Sequence, residues 1–505
     1  MSHVASAHDS RKKHESFVLV VARKELLEIF RDGRFAWAAA IMALLLFAGL
    51  VTGADRYAAY NLMQQQAQET SNEQFYTQGD KNPHSGAHYG NYAFMKAGPL
   101  SFFDNGISPY TGSFVFMEAH RQNLSVAPPA GDTSAIARFG DLNGAMILQI
   151  LMPLLIIFLG FSAFSGERER GTLRQLMSIG APKSALLWGK ALGVGSAIAL
   201  VIVPCILVGV VVIASLNVNL SGDGFGVRVL LLALSYSVYA GIFLFVTLAV
   251  SAVAASSRTA LIALVGFWAF SVFLAPKIAA EISKIAIPSP SLGEFQTSMQ
   301  ETRQKGLDGR SPRQKLAEYR QSLLDKYGVE DVADLPVYWV AVSMQKLEEI
   351  DHEVYDHYFI GLADTYLKQR RLQDNIGLIA PVLPLKSLSM GLAGTDLLHD
   401  QKFTQAAEQA RRDMVEKVNS YLAEMAVEFN SNLKLAPNIS TETNDRVLIA
   451  DEEVFRMVDA FHYEPPSLSA VLNEYRSAFF ILSLWLLAAV AASMAAVRNL
   501  QPYTR

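Results

Sequence analysis

The stretch SGERERGTLRQLMSIGAPK, Ser165 to Lys183, lies between two long apolar runs and sets five charged residues, three basic and two acidic, in its first ten positions. Each flanking run, 142–164 before it and 185–215 after it, meets the requirement of about 20 apolar residues for a helix to cross a hydrocarbon core of roughly 30 Å. The charged stretch is therefore a turn between two membrane spans, and the fold class that follows is an all-α membrane protein. Further spans are read at 35–54, 227–255, 260–276 and 477–497, giving six transmembrane helices. The fifth has an apolar core of only about 17 residues, the lower end of what crosses a bilayer. Composition agrees, since 51% of the 505 residues are apolar and only 18% are charged, the balance of a membrane protein with sizeable watery parts.

Orientation follows from the basic segments, because Lys and Arg close to span ends stay cytoplasmic. Arg11, Lys12, Lys13, Arg23, Lys24, Arg31 and Arg34 lie in the N-terminal segment 1–34. Arg168, Arg170, Arg174 and Lys183 lie in segment 165–184, with Lys190 just beyond it. Arg258 lies in the turn 256–259, and Arg498 and Arg505 in the tail 498–505. With six spans all of these fall on one side, which puts both termini in the cytoplasm. The opposite side receives the insertions 55–141 and 277–476 and the short loop 216–226. Residues 277–475 hold 31 acids against 21 bases within an overall net charge of −4, so nucleic acid is not an expected partner of the outer domain. A cleavable signal is rejected because removing the first span would break this charge arithmetic. The single cysteine, Cys205, lies in the third span and allows no intramolecular disulfide.

Before the first span, FVLVVARKELLEIFRDGRF sets Leu19, Ala22, Leu26, Ile29 and Phe30 roughly on one helical face, with charge around the rest. This reads as an N-terminal amphipathic helix in the inner interface of the lipid bilayer. The insertions are mainly helical by pattern, with breakers at KNPHSGAHYGNY, IPSPSLG and IAPVLPL. The first alone has little with which to fill a core, so one extracytoplasmic helical domain built from both is expected.

Catalytic chemistry is sought and mostly not found. DHEVYDHYF offers His352, Glu353 and His357, one residue longer than the H-E-x-x-H zinc pattern, and imidazoles at i and i+5 diverge by about 140° around a helix. His84 and His88 with Asp80 form a second, weaker set in a flexible polar loop. No G-x-S-x-G elbow and no G-x-x-x-x-G-K-[ST] loop occurs, so no cofactor is bound directly and ATP-Mg would have to be held by another subunit. Within the spans the sparse polar residues Asn143, Gln149, Ser237 and Tyr239 are candidates to line a pathway. The commoner reading is that they bond within their own helix or to a neighbour. No Asp, Glu, Lys or Arg lies well inside a span, which argues against a titratable relay.

In segment 165–183, Leu173, Leu176 and Met177 recur at helical spacing, Thr172 would help start a helix, and Gly180 with Pro182 would end it. The result is a small helix with an apolar face and a basic rim, held by spans at both ends and suited to docking. GERERGTLRQLMSIGAPKSALLWGKALG resembles the coupling segment of ABC-2-type permeases, the membrane subunits of ATP-binding-cassette exporters. KELLEIFRDGRFAW resembles their amphipathic helix, and GLAGTDLLHDQKF a segment of the subgroup with a large extracytoplasmic domain. The resemblance implies coupling to an ATPase through Glu167, Arg168, Glu169, Arg170, Gly171, Thr172, Leu173 and Leu176, with Arg258 in a second contact. It further implies two copies of a cytosolic ABC ATPase, a second permease half, identical or homologous, and a place in the bacterial cytoplasmic (inner) membrane. The competing reading is a membrane-anchored receptor or scaffold whose outer helical domain binds a partner. A hydrolase rests only on DHEVYDH.

Overall fold

The computed structural model describes residues 2–125, 142–215, 224–432 and 448–501. Residues 126–141 of the first insertion, 216–223 of the loop 216–226, and Arg505 lie outside the described residues. Helix α1 (Ser2–Arg31) is followed across Asp32 by α2 (Gly33–Tyr76). At 1.5 Å per residue the 44 residues of α2 extend roughly 66 Å, about twice a hydrocarbon core, so the first span runs on unbroken into the insertion. Gly53 does not end it. A Cβ there would lie 2.0 Å from the Phe102 carbonyl oxygen, and glycine is what lets the insertion pack against the span.

The first insertion adds α3 (Pro83–Tyr89) and an antiparallel hairpin of β1 (Asn91–Phe94) and β2 (Phe114–Met117). The second span is α4 (Gly144–Gly160), which begins on an Asn143 cap whose side chain accepts from the Met146 amide. Two short helices, α5 (Ser165–Glu169) and α6 (Thr172–Ser178), lead to α7 (Lys183–Ser215) and α8 (Phe225–Val253). The fifth span is α9 (Ser257–Ala269), a π-turn at Phe270–Leu274, and α10 (Ala275–Ala286). Pro276 lacks an N–H, and the wider turn ahead of it absorbs the missing bond, so the helix runs past 276, where the apolar core ends in sequence. The last span is α17 (Arg476–Arg498). Among the described residues there are thus six helices long and apolar enough to cross a membrane.

The second insertion contributes α11 (Leu292–Lys305), α12 (Pro312–Tyr327), α13 (Trp339–Ile376), α14 (Val382–Ala393), α15 (Leu397–Asn432) and α16 (Leu468–Glu474). Its core is shared with the first insertion: Phe75, Ala87 and Val115 pack with Phe403, Val415 and Phe455. The expectation of one helical domain made from both insertions therefore holds. One reading needs correction. IAPVLPL (379–385) parts α13 from α14 only at its start and then continues as helix, because Pro381 and Pro384 sit at the N-cap and in the first turn of α14, where an amide proton has no helical acceptor. The helix they start is buried, packed on α8, α13 and α17 at the domain end of the bundle.

Candidate functional site

At the end of the bundle that carries both chain termini, Glu167, Arg168, Glu169 and Lys183 of the turn hold the ends of neighbouring helices. Glu167 is buried, and its Oε1 lies 2.6 Å from Lys24 Nζ on α1 and 3.0 Å from Lys190 Nζ on α7. Arg168 donates from its two terminal nitrogens to the carbonyls of Ala254 (2.5 Å) and Ala252 (2.6 Å) at the C-terminus of α8. Glu169 accepts from the Ser257 amide (2.8 Å) and hydroxyl (2.7 Å) at the N-terminus of α9. Lys183 donates to the carbonyls of Arg498 (2.8 Å) and Leu500 (2.9 Å) at the end of α17. The signs are those the helix dipole asks for: bases on the electronegative C-termini of α8 and α17, an acid on the electropositive N-terminus of α9. Ser251 fills the break between α4 and α5, where its hydroxyl accepts from the Phe164 amide at 3.0 Å.

The same turn fastens α1. Gly189 and Gly193 of α7 let the two helices touch, since a Cβ at these positions would lie 2.5 Å from Val21 and 2.6 Å from Glu25. This is the small-residue spacing that brings helices together in lipid. Lys190, between them, reaches Glu25 as well as Glu167 through a short contact. Two acids and two bases, Glu25, Glu167, Lys24 and Lys190, thereby neutralise one another. Lys24 lies above the usual lysine range: burial, which opposes its charge, is outweighed by Glu167. The face of α1 read as apolar is divided by this packing. Ile29 is buried, while Leu19 and Phe30 are exposed together with Val20 and Leu27, the arrangement of a helix with one side on protein and another free for lipid.

Helix α6 starts after Gly171, whose φ of 73° is left-handed, so glycine and not Thr172 occupies the cap position. Thr172 instead donates its hydroxyl to the Glu167 carbonyl at 3.2 Å. Gly180, with φ 76°, ends the turn. Leu173 is fully buried against Phe164, Leu186 and Leu248, and Leu176 packs on the same cluster. The surface this element presents outward is formed by Glu169, Arg170, Gly171, Arg174, Gln175, Ser178 and Ile179. Ile179 is 67% exposed and is the large apolar side chain of that surface. Arg258 is also exposed, one residue beyond the Ser257 that Glu169 holds, so the two turns form one platform.

The four polar span residues separate. Asn143 caps α4 and donates to Asn105 Oδ1 (2.6 Å). Gln149 donates to the Tyr236 hydroxyl (3.0 Å), and Tyr239 donates to the Gln149 carbonyl (3.0 Å), both buried. The chain continues from Tyr236 to Ser389 of α14 (3.1 Å) and on to Asp104. Ser237 bonds within its own helix and lies, with Tyr236, on an apolar cleft of about 440 Å³ bounded by Leu46, Met152, Ile198 and Cys205. Asn143, Gln149 and Tyr239 do not line that cleft.

Sequence reasoning missed the joint at the domain end. Asp396 bridges the His399 ring and the Tyr475 hydroxyl, both by short bonds, and Thr395 donates to the Asp104 carbonyl at 3.1 Å. Burial would raise the Asp396 carboxyl, but His399 and Tyr475 hold it below its ordinary value. Arg228 at the start of α8 donates to the Leu392 (3.5 Å) and Pro466 (3.0 Å) carbonyls. The GLAGTD segment is thus a structural corner, and its Gly-Thr-Asp run was the available signal.

Among the histidines, His352 faces Glu348 at 3.6 Å, while His357 is exposed. The set of His84, His88 and Asp80 is corrected. The two histidines belong to the ordered helix α3 and not to a loop, and Asp80 is turned to the Glu452 amide (3.2 Å). His120 takes the third place, its imidazole lying with the other two.

Six helices fit to cross a membrane among the described residues, with one charged turn tying the ends of α1, α8, α9 and α17 together, define a polytopic membrane protein. The chain belongs to the ABC-2 family transporter proteins, whose family model matches residues 19–410. That match takes in the C-terminal part of α1, the charged turn, the first insertion and most of the second; the last span lies beyond it. No curated protein matches the sequence. The protein is an integral membrane component of an ABC transporter.

Proposed function

We propose that the chain is the permease subunit of an ATP-driven exporter, moved by a separate cytosolic ABC ATPase and not catalytic by itself. Two ATPase copies and a second permease half, identical or homologous, complete the working unit. The platform end lies in the cytoplasm of a bacterial cell, and the helical domain lies beyond the inner membrane, where it receives, gates or hands on cargo. The observation that carries this reading is the charged turn. Glu167, Arg168, Glu169 and Lys183 hold α1, α7, α8, α9 and α17, so a displacement applied to the platform reaches every one of those helices. Docking falls to the outward surface around Gln175, Ser178 and Ile179, and Leu173 and Leu176 keep the element rigid from behind.

The test is Ile179→Asp, which alters an exposed side chain and leaves the buried cluster intact. Copurification of the cognate ATPase and the stimulation of its ATP hydrolysis should fall at least about tenfold, a coupling change of roughly 1.4 kcal/mol. The elution profile and melting temperature of the variant should stay those of the unaltered chain. Copurification and stimulation unchanged in that well-folded variant would refute docking on this surface.

A further inference from the structure

Three histidines of the first insertion meet inside the helical domain, and their surroundings fix which nitrogen of each ring is free. His84 and His88 stand one turn apart on α3, and His120 follows β2 in a left-handed conformation (φ 63°) that non-glycine residues rarely adopt. One ligand atom from each lies within 4.8 Å of the others. His84 Nδ1 is 2.7 Å from Asn419 Oδ1, and the Asn419 amide nitrogen donates to Gln345 Oε1 at 2.9 Å. The Asn419 oxygen is thereby the atom turned to His84, and Nδ1 carries the ring proton. His120 Nδ1 is 2.6 Å from Glu348 Oε1, which also accepts from the His120 amide at 2.6 Å. Glu348 is buried and anchored by Arg411 at 3.1 Å, itself held by Glu408 at 2.8 Å.

With both Nδ1 atoms protonated, the unprotonated Nε2 atoms of His84 and His120 face each other at 3.2 Å. Two lone pairs at that distance repel unless a positive charge lies between them. Two imidazoles on a tetrahedral zinc ion, with bonds of about 2.0–2.1 Å, place their nitrogens roughly 3.3–3.4 Å apart. Asn419 and Glu348 are then the acceptors that ligating histidines ordinarily use for their second nitrogen.

We propose that His84, His88 and His120 form a binding site for a divalent transition metal, with zinc the ion that fits. Three imidazoles without thiolate or carboxylate select zinc and its late first-row neighbours over magnesium or calcium. His88 is exposed, so the site opens to solvent on that side, and the fourth position is available to water or an exchangeable ligand. The three ligands come from the first insertion, and their acceptors come from α13 and α15 of the second. Metal binding therefore fastens the two insertions to each other.

The experiment uses the full chain in detergent, purified on a tag free of histidine, stripped with EDTA and titrated with zinc chloride by calorimetry. Cobalt absorption then reads the coordination geometry. One equivalent of zinc should bind per chain, with the melting temperature raised, and cobalt should give a tetrahedral spectrum. His88→Ala, at an exposed position, should weaken zinc at least about 100-fold while keeping the metal-free melting temperature. Asn419→Ala should weaken it about 10–100-fold, the usual range for an outer-shell partner. His357→Ala, on the exposed face of α13, should bind as the unaltered chain does. A featureless zinc titration, the outcome if His84 and His120 merely share a proton, overturns the proposal. So does unchanged affinity in His88→Ala, or equal binding of magnesium.

Discussion

Replacing Lys190 by methionine removes the centre of the ion cluster that joins α1 to the bundle. The ammonium is 1% exposed and lies against Glu25 and, at 3.0 Å, Glu167, whose side chains are 9% and 2% exposed. It also lies over the Phe164 ring, 5.3 Å from its centroid. Once it is gone, two nearly buried carboxylates share only Lys24, which is 39% exposed and partly screened by solvent. Breaking a buried ion pair from one side destabilises by about 3–5 kcal/mol, because the charge left behind is neither hydrated nor paired. Each kcal/mol is read as roughly 2–4 °C in a unit of 150–250 residues, so the apparent melting temperature of the detergent-solubilised chain should drop by about 6–20 °C. Limited proteolysis should at the same time release α1 at the break around Asp32. The second arm is Lys190→Met combined with Glu167→Gln, which removes the surplus charge and keeps a hydrogen-bonding side chain. The pair should be more stable than Lys190→Met alone, a coupling that adding the two single effects would not give. A fall of less than about 2 °C in Lys190→Met, or a double variant that loses the sum of the two single losses, would refute the reasoning, because neither is compatible with a buried charge left uncompensated.

Two further outcomes follow from the same kind of contact. Arg168→Ala frees the Ala252 and Ala254 carbonyls, and with charged hydrogen bonds contributing about 1.5–3 kcal/mol, exchange of the amides at 250–257 should quicken by roughly 30-fold; Arg168→Lys, with one nitrogen for two carbonyls, should restore only part of the protection, and exchange unaltered in Arg168→Ala would contradict the clamp. In the helical domain, burial lifts the Asp400 carboxyl from 3.8 to about 6, and its Oδ1 has no partner among the described residues. The native state keeps a proton that the unfolded chain releases, so this stability is complete below about pH 4 and is lost as the pH rises through 6, a difference of about 2–3 kcal/mol. Asp400→Asn should therefore raise the melting temperature at pH 7.5, with the gain shrinking to nothing near pH 4; a gain of the same size at both pH values would show that ionisation is not its source.

What the sequence disclosed and what it withheld divide along a physical line. Spans are legible because a bilayer demands an apolar run of fixed length, and the six runs correspond to six helices. The short helix α6 is legible as an element because Gly171 and Gly180 bound a helical stripe. Its orientation is not, since a stripe such as Leu173, Leu176 and Met177 is the same in sequence whether a partner or the chain itself covers it. Here the chain covers it, and Ile179 is left outside. Helix α14 was hidden because its apolar run is too short for a span and starts at two prolines that read as breakers. The histidine cluster was half visible: His84 and His88 share a helix face, but His120 lies beyond a hairpin, and no local periodicity relates it to them. Glu167, Arg168 and Glu169 stood out as adjacent charges, yet that they serve three different neighbours follows only from the packing of helix ends.

The arrangement of α8 gives the platform its reach. Its C-terminus is held by Arg168, and its N-terminus, 29 residues away, is where Arg228 grips the carbonyls of Leu392 and Pro466. A helix of that length measures about 43 Å, so a tilt of only 5° about one end carries the other by roughly 4 Å. Neither end can absorb such a displacement by a side-chain rotation, because a guanidinium bonded to two carbonyls is fixed in direction as well as position. Midway, Tyr236 ties α8 to Gln149 of α4 on one side and to Ser389 of α14 on the other. On the proposed reading, a shift imposed at the charged turn would reach α14 through these contacts, and through α14 the helical domain packed beside it.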